Sequence, residues 1–434
     1  LHYPLRRQRQ MCIRDSWYKL DLSAIVYPTL QRRDFSSVYR LSVLLKEDID
    51  PEILQRAVNL TMPRFPTYKA AIRKGVFWRY LEPNDRPGPF VQEDVKNPCQ
   101  PMHFKGNNRY LVRIYYYRNR IALEAHHSLG DGTGGMCVLQ TLTATYLRLK
   151  GHSEIENGGF VLDILGIPDP GELEDAYMKY ANAKVCPPRP GEKTYRVRGT
   201  KEPFYTLNII DGIMSVSEVM QVAKSYNATI TEYLNSVLLY ALMRKQESEW
   251  HLKLRPVKIA MPVNLRRFFP SRTLRNFITM IYPGIDPRLG EYTFEEIVTQ
   301  VHNYMRYYLN EKLLRGDITT NAETQRNPFI RIVPLFIKDL VVRQFYTKIQ
   351  DKNSSAGLTN MGALKVPETM KPYIERFDIY MGQPFSTRTN CAIASFEDIL
   401  TINFASSIAE TDVERLFFRK LVQDGIHVKI ESNR

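Results

Sequence analysis

The chain lacks several features that would each point to a class of function. Its five cysteines (Cys12, Cys99, Cys137, Cys186 and Cys391) are odd in number, far apart and without a C-x-x-C pair. That argues against a disulfide framework and fits free thiols in a reducing compartment. No apolar run reaches the roughly 18 residues of a membrane span, and no signal-peptide apolar region is present. The expected location is therefore the cytoplasm. No glycine-rich dinucleotide fingerprint joins a strand to a helix, and no phosphate-loop lysine motif occurs. G-x-S-x-G is absent, so no nucleophile elbow is suggested. Zinc-finger spacing and RRM-type aromatic signatures are missing as well. The 60 Lys and Arg against 46 Asp and Glu give a net charge of +14, but the basic residues are dispersed rather than striped. The surplus reads first as that of an ordinary soluble basic protein, with an anionic ligand or a membrane surface as sharper readings; nucleic acid is not the expected partner.

What is present is an ordinary globular composition, 44% apolar and 24% charged over 434 residues, enough for two lobes with cores. Residues 1–16 carry no amphipathic period and resemble translated adapter sequence, so they are read as a non-native extension and set apart from the fold. Residues 17–150 form the expected N-terminal lobe. Trp17 to Tyr27 is a lid or edge segment. Val38–Leu45 alternates as a strand. Asp50-Pro51-Glu52 starts a helix that stops before Pro63. Tyr110–Tyr117 and Arg120–Ala125 form a hairpin turned by Arg118-Asn119. A helix then runs from Gly132 to near Gly151. Residues 152–204, rich in Gly, Pro and charge, read as part of a crossover linker over 151–204.

The C-terminal lobe is expected over 205–434. Ser215 with Glu218, Thr229 with Glu232 and Thr293 with Glu296 are capping-box pairs at three helix starts. Val257–Val263 reads as a buried strand. Phe329–Phe345 is apolar, broken by Pro334, and carries Lys338 and Arg343. Its expected role is core or lobe packing, with a surface-lying amphipathic helix as the alternative. The whole order is α/β with mixed strands.

The chemistry concentrates at Ala125-His126-His127-Ser128-Leu129-Gly130-Asp131-Gly132, a strand-to-helix junction. One histidine at the end of an apolar strand is ordinarily a satisfied core residue. Two in a row, followed by an acid and several glycines, are harder to explain that way. On extended backbone the two rings point to opposite sides, so only one can face a given cleft. A neutral imidazole near pH 7 is suited to taking a proton from a hydroxyl or amine. The positive end of the following helix would keep it neutral. Without a nucleophile elbow, direct attack of an acceptor on an activated donor fits better than a covalent intermediate. Asp131 is either the partner of the base or a lock on the loop, and an arginine would be its natural counter-ion. Acids near the histidines are too few for a metal site.

His126-His127-Ser128-Leu129-Gly130-Asp131-Gly132 resembles the H-H-x-x-x-D-G signature of the CoA-dependent acyltransferase superfamily. That group includes chloramphenicol acetyltransferase, the condensation domains of nonribosomal peptide synthetases and the alcohol acetyltransferases. Met261-Pro262-Val263-Asn264-Leu265-Arg266 and Arg275-Asn276-Phe277 are similar to its second-lobe motif. Thr359-Asn360-Met361-Gly362 resembles the strand that lines its lobe interface. The plant D-F-G-W-G motif is absent. The resemblance covers about 17–430 and implies two chloramphenicol-acetyltransferase-like lobes, with mixed sheets flanked by helices, enclosing a tunnel. It implies His127 as general base, His126, Asp131, Gly132 and Arg266 as structural support, and Asn276, Asn360 and Gly362 along the substrate tunnel. The implied reaction moves an acyl group from acyl-CoA, a co-substrate rather than a resident cofactor, to an alcohol or amine. A free-standing condensation-type enzyme with carrier-protein-tethered substrates is the alternative. A catalytically silent scaffold is a third reading, against which the intact His127 and Asp131 argue.

Overall fold

A computed structural model of the chain describes residues 17–31, 35–184, 191–249, 251, 253–382 and 387–434. The segment 1–16, with Cys12, lies outside the described residues, as does Cys186. Local sequence signals act where they are expected. The Asp50 carboxylate accepts the N–H groups of Glu52 and Ile53 at 2.9 and 3.0 Å and caps the helix Pro51–Thr61. Arg118, at φ 49°, turns the strand Val112–Tyr117 into Arg120–His126. Thr229 with Glu232 and Thr293 with Glu296 form complete reciprocal caps. The third expected box is half formed. Ser215 accepts the Glu218 N–H, but the Glu218 carboxylate accepts from the His427 N–H instead of folding back.

The fold is α/β. A five-stranded sheet runs in the order 374–381, 38–45, 120–126, 112–117, 91–93. One of its faces is covered by the helix Gly132–Leu149, which is buried continuously from Gly134 to Leu147 and therefore carries almost no charge. A mixed sheet of eight strands runs 278–281, 257–264, 356–363, 389–396, 399–406, 208–215, 429–432, with 284–285 also paired to 257–264. Strand Ala356–Ala363 lies parallel to both of its neighbours. A small sheet joins 18–19, 79–83 and 70–74, so the expected edge segment at Trp17–Tyr27 contributes both a short strand and the helix Tyr27–Leu30. Two large hydrophobic clusters underlie the two main sheets. Among the described residues no helix is long and apolar enough to cross a membrane.

Chain order places Ile374–Met381 in the C-terminal lobe, yet this strand pairs antiparallel with Val38–Leu45 and completes the first sheet. The reason is its burial on both faces: Phe377, Asp378, Ile379 and Tyr380 are all enclosed. Only a site between the two sheets covers both sides. Side chains stitch it to the second sheet. Thr401 Oγ1 donates to the Phe377 carbonyl at 2.8 Å, Asn403 Oδ1 accepts from the Ile379 N–H at 3.0 Å, and the Tyr380 hydroxyl donates to Asp211 at 2.9 Å.

A second difference concerns Phe329–Phe345. It forms the helices Pro328–Ile332 and Leu335–Asn353 on either side of Pro334, but Phe329, Ile332, Phe336 and Leu340 are exposed rather than packed in a core. The longer helix is held to the body through a polar residue, Asp339, which pairs with Arg79 and accepts from Thr29.

On the face of the first sheet away from its covering helix, Arg40 reaches across the strands. Its guanidinium donates to Glu124 at 2.9 Å and to Asp94 at 2.8 Å, all three being buried. Arg40→Ala leaves the enclosed Glu124 and Asp94 carboxylates with the more exposed Arg113 and Arg120, at 2.9 and 2.8 Å, as their remaining counter-ions. Urea denaturation is expected to register a loss of about 2–3 kcal/mol, short of the roughly 3–5 kcal/mol of a buried charge left wholly uncompensated. A loss below about 1 kcal/mol would place this network with surface pairs instead.

Candidate active site

The strand Arg120–His126 ends in the His-His pair because its hairpin partner and Val38–Leu45 hold it on both sides. The two rings part as alternation requires. His126 is wholly buried, edge-on to Phe104 at 5.4 Å, and its Nδ1 accepts the Ser128 N–H at 3.2 Å. Burial and the adjacent His127 push its pKa down to about 3, so it is a neutral structural ring. His127 goes to the other side and keeps partial exposure. Its ring stacks on Tyr27 at 4.8 Å and lies against Tyr39 at 4.6 Å. Its Nδ1 is buried, and the Asn276 side chain and the Gly130 backbone lie beside the ring. Burial lowers its pKa to about 4, opposed chiefly by the Asp131 charge.

The backbone of His127 is clamped at two points. Its N–H donates to the Ser37 carbonyl at 2.8 Å, and its carbonyl accepts from the Asn276 side-chain amide at 2.9 Å. Asn276 is itself wholly buried and also donates to Asp21 at 3.1 Å, while Arg275 lies 3.6 Å from the same carboxylate. Asn276 thus sits behind the loop and holds it.

Asp131 is the most heavily bonded residue of the loop. Oδ1 accepts from the N–H groups of Thr133 and Gly134 at 3.1 and 3.2 Å, capping the helix that follows. Oδ2 accepts from Arg266 Nη1 at 2.8 Å and from the Phe277 N–H at 2.9 Å. Arg266 is fixed in turn by Asn264 Oδ1 and the Thr273 carbonyl. The carboxylate therefore ties the first sheet's loop to the segment 264–277 beside the second sheet, and Asn264 adds a bond to Thr133 at 3.2 Å.

The glycines serve this junction by close packing. None of Gly130, Gly132, Gly134 and Gly135 has a positive φ. A Cβ on Gly134 would stand 1.9 Å from the Leu274 carbonyl oxygen, and one on Gly130 would stand 2.5 Å from it. The sharp turn and ligand approach that glycine permits in a loop are here a close approach of the segment 264–277. A Cβ on Gly132 would meet Met361 at 3.1 Å, which brings the strand Ala356–Ala363 to the same helix start. On that strand Asn360 donates to Thr231 at 2.9 Å and accepts the Gly362 N–H at 2.7 Å, with Gly362 at φ +73°. His126, His127, Asp131, Gly132, Arg266 and Asn276 are brought together; Asn360 and Gly362 lie on the adjoining strand.

Sequence reasoning missed Asp21, Tyr27 and Tyr39. Asp21 has no local signal, because the Asn276 it holds is 255 residues away. Tyr39 donates to the Asp131 carbonyl at 3.1 Å, and only strand pairing shows that it faces the loop. Among the described residues no three His, Cys, Asp or Glu side chains gather as metal ligands would.

Arg266→Ala leaves Asp131 with backbone donors alone and releases the 264–277 segment. The expected loss is about 3–5 kcal/mol of stability, read as a lower melting temperature. A variant that melts like the parent would mean that the pair does not hold the junction.

No protein-family model matches the chain, and no curated protein matches it by sequence. Solved structures do match in shape. A trichothecene 15-O-acetyltransferase from Fusarium sporotrichioides superposes with a TM-score of 0.59 at 13% identity, over 95% of this chain and 94% of that one. The first condensation domain of the calcium-dependent antibiotic synthetase gives 0.59 at 14% identity, over 96% and 100%. A mutant starter condensation domain of rhizomide synthetase, solved in complex with C8-CoA, gives 0.58 at 13% identity, over 94% and 95%. The chain has the α/β fold of condensation domains and of this acetyltransferase, along nearly its full length.

Proposed function

We propose that the protein is an acyltransferase that moves an acyl group from acyl-CoA to an alcohol or amine, with His127 as general base. One observation carries this reading. His127 is the histidine of the pair that keeps access, and it is held neutral, at the end of a strand whose loop is clamped from the second half of the chain. With Nδ1 enclosed, Nε2 is the ring atom that meets an acceptor. In the proposed step Nε2 takes the proton of the acceptor O–H or N–H as that heteroatom attacks the thioester carbon. The C–S bond breaks, and the departing thiolate takes the proton back from the imidazolium. The Asp131 charge favours the transient cation, and the stacked Tyr27 ring, with the tilted Tyr39 ring beside it, holds its plane. Arg266, Asn276 and Asp21 are positioning residues, and Asn360 and Gly362 line the tunnel by which substrates reach the base. The shared fold supports the class of reaction, and the C8-CoA complex of one neighbour supports a CoA thioester as donor. A donor tethered to a carrier protein is the second reading, favoured by the likeness to condensation domains.

The test is a mass-spectrometric screen of acyl-CoA with alcohol and amine mixtures, run with the parent and His127→Ala. The variant is expected to lose about a hundredfold or more in turnover, the range for a general base, while melting normally. An unchanged rate sinks the mechanism. Turnover of a carrier-bound thioester only, with none of the free CoA ester, selects the second reading.

The pH profile supplies an independent check. A free-enzyme base whose pKa is lowered from 6.5 to about 4 stays unprotonated well below neutrality. The acid limb of kcat/KM is therefore expected below about pH 5. A limb centred near the ordinary histidine value contradicts an enclosed base.

A further inference from the structure

The exposed apolar residues of 328–341 do not stand alone. The Leu335 N–H donates to the Val76 carbonyl at 2.8 Å, and Lys338 Nζ donates to the Phe77 carbonyl at 2.9 Å and to the Arg331 carbonyl at 3.1 Å. These bonds set the hairpin tip Gly75–Trp78 against the junction of the two helices. Val76, Trp78, Phe329, Ile332, Phe336 and Leu340 then share one region of surface, each between 51% and 76% exposed. A monomeric soluble protein rarely leaves so many bulky apolar side chains together in water.

The way the longer helix is attached sharpens the point. Two of its polar residues bond to the body. Asp339 is bonded to Arg79 and Thr29, and Arg343 Nε donates to the Thr29 carbonyl at 2.9 Å. Phe336 and Leu340, four residues apart and so on one stripe, face outward. A helix meant for a core would have the reverse arrangement.

Charge selects the occupant. Residues 328–344 hold three basic side chains, Arg331, Lys338 and Arg343, against one acid, Asp339, whose charge is spent on the nearly buried Arg79. Lys74 adds a further cation at the base of the hairpin. Aromatic and aliphatic side chains set among Lys and Arg are what an anionic bilayer surface accepts: rings and aliphatic chains enter the headgroup boundary while cations meet lipid phosphates and carboxylates.

We propose that the hairpin tip 75–78, the helix 328–332 and residues 335–344 of the next helix form a docking face for anionic phospholipid membranes. The chain would lie on the bilayer by this face without spanning it. This does not depend on the reaction assigned to His127.

The test uses the full chain and vesicles of phosphatidylcholine with and without phosphatidylserine, in a flotation assay. The parent protein is expected to float with the phosphatidylserine vesicles. Binding should fall about tenfold or more on vesicles of phosphatidylcholine alone, in high salt, and in the double variant Phe336→Ser with Leu340→Ser. Because both side chains are exposed, the double variant should melt at the parent temperature and keep the parent's acyl-transfer rate on soluble substrate. The proposal is overturned if the parent does not float, or if the double variant floats as well as the parent. It is also overturned if sedimentation shows a parent dimer that the double variant abolishes, which would make the face an interface between two copies, or if the face captures an acidic carrier domain but no vesicle.

Discussion

The contact between Asp131 and Arg266 is the constraint on which the rest of the centre depends. One carboxylate caps the helix Gly132–Leu149, accepts an arginine and accepts a backbone N–H from Phe277. Each bond alone is ordinary. Together they join a loop of the five-stranded sheet to a segment next to the eight-stranded sheet, so the geometry around His127 is a property of both halves. Removing either partner of a pair enclosed in this way leaves the other charge short of its counter-ion, so the contact penalises arrangements that separate them. Gly130 and Gly134 belong to the same constraint, since any side chain there would push the Leu274 carbonyl away.

The proposed base follows from how this junction is enclosed. Burial holds both histidines neutral, but only His127 retains access, because alternation along the strand sends His126 toward Phe104 and His127 toward the tyrosines. The same enclosure that keeps His127 neutral also makes its transient cation costly. The opposing pull of Asp131 is therefore part of the chemistry as well as of the scaffold.

Strand Ile374–Met381 and the Phe329–Phe345 segment show where reading the chain in order fails. Nothing within the strand says which sheet it completes. Burial on both faces decided that, and it can be satisfied only between the sheets. For the apolar segment, hydrophobicity alone favours a core. The Arg79–Asp339 pair, formed between a strand and a helix far apart in sequence, turned the polar side inward and left Phe336 and Leu340 outside.

What the sequence determined by itself acts over a few residues. Asp50 before Pro51, Thr229 with Glu232 and Thr293 with Glu296 set helix starts, because a cap reaches only two or three positions along the chain. The His-His-Asp-Gly order located the loop for the same reason. Only the tertiary structure decided which groups surround that loop. Asp21, Tyr27, Arg266 and Asn276 arrive from distant segments, placed by sheet pairing and by burial of two cores. Such contacts leave no periodic trace in the chain, since a buried polar residue needs a partner in space and not at any fixed spacing.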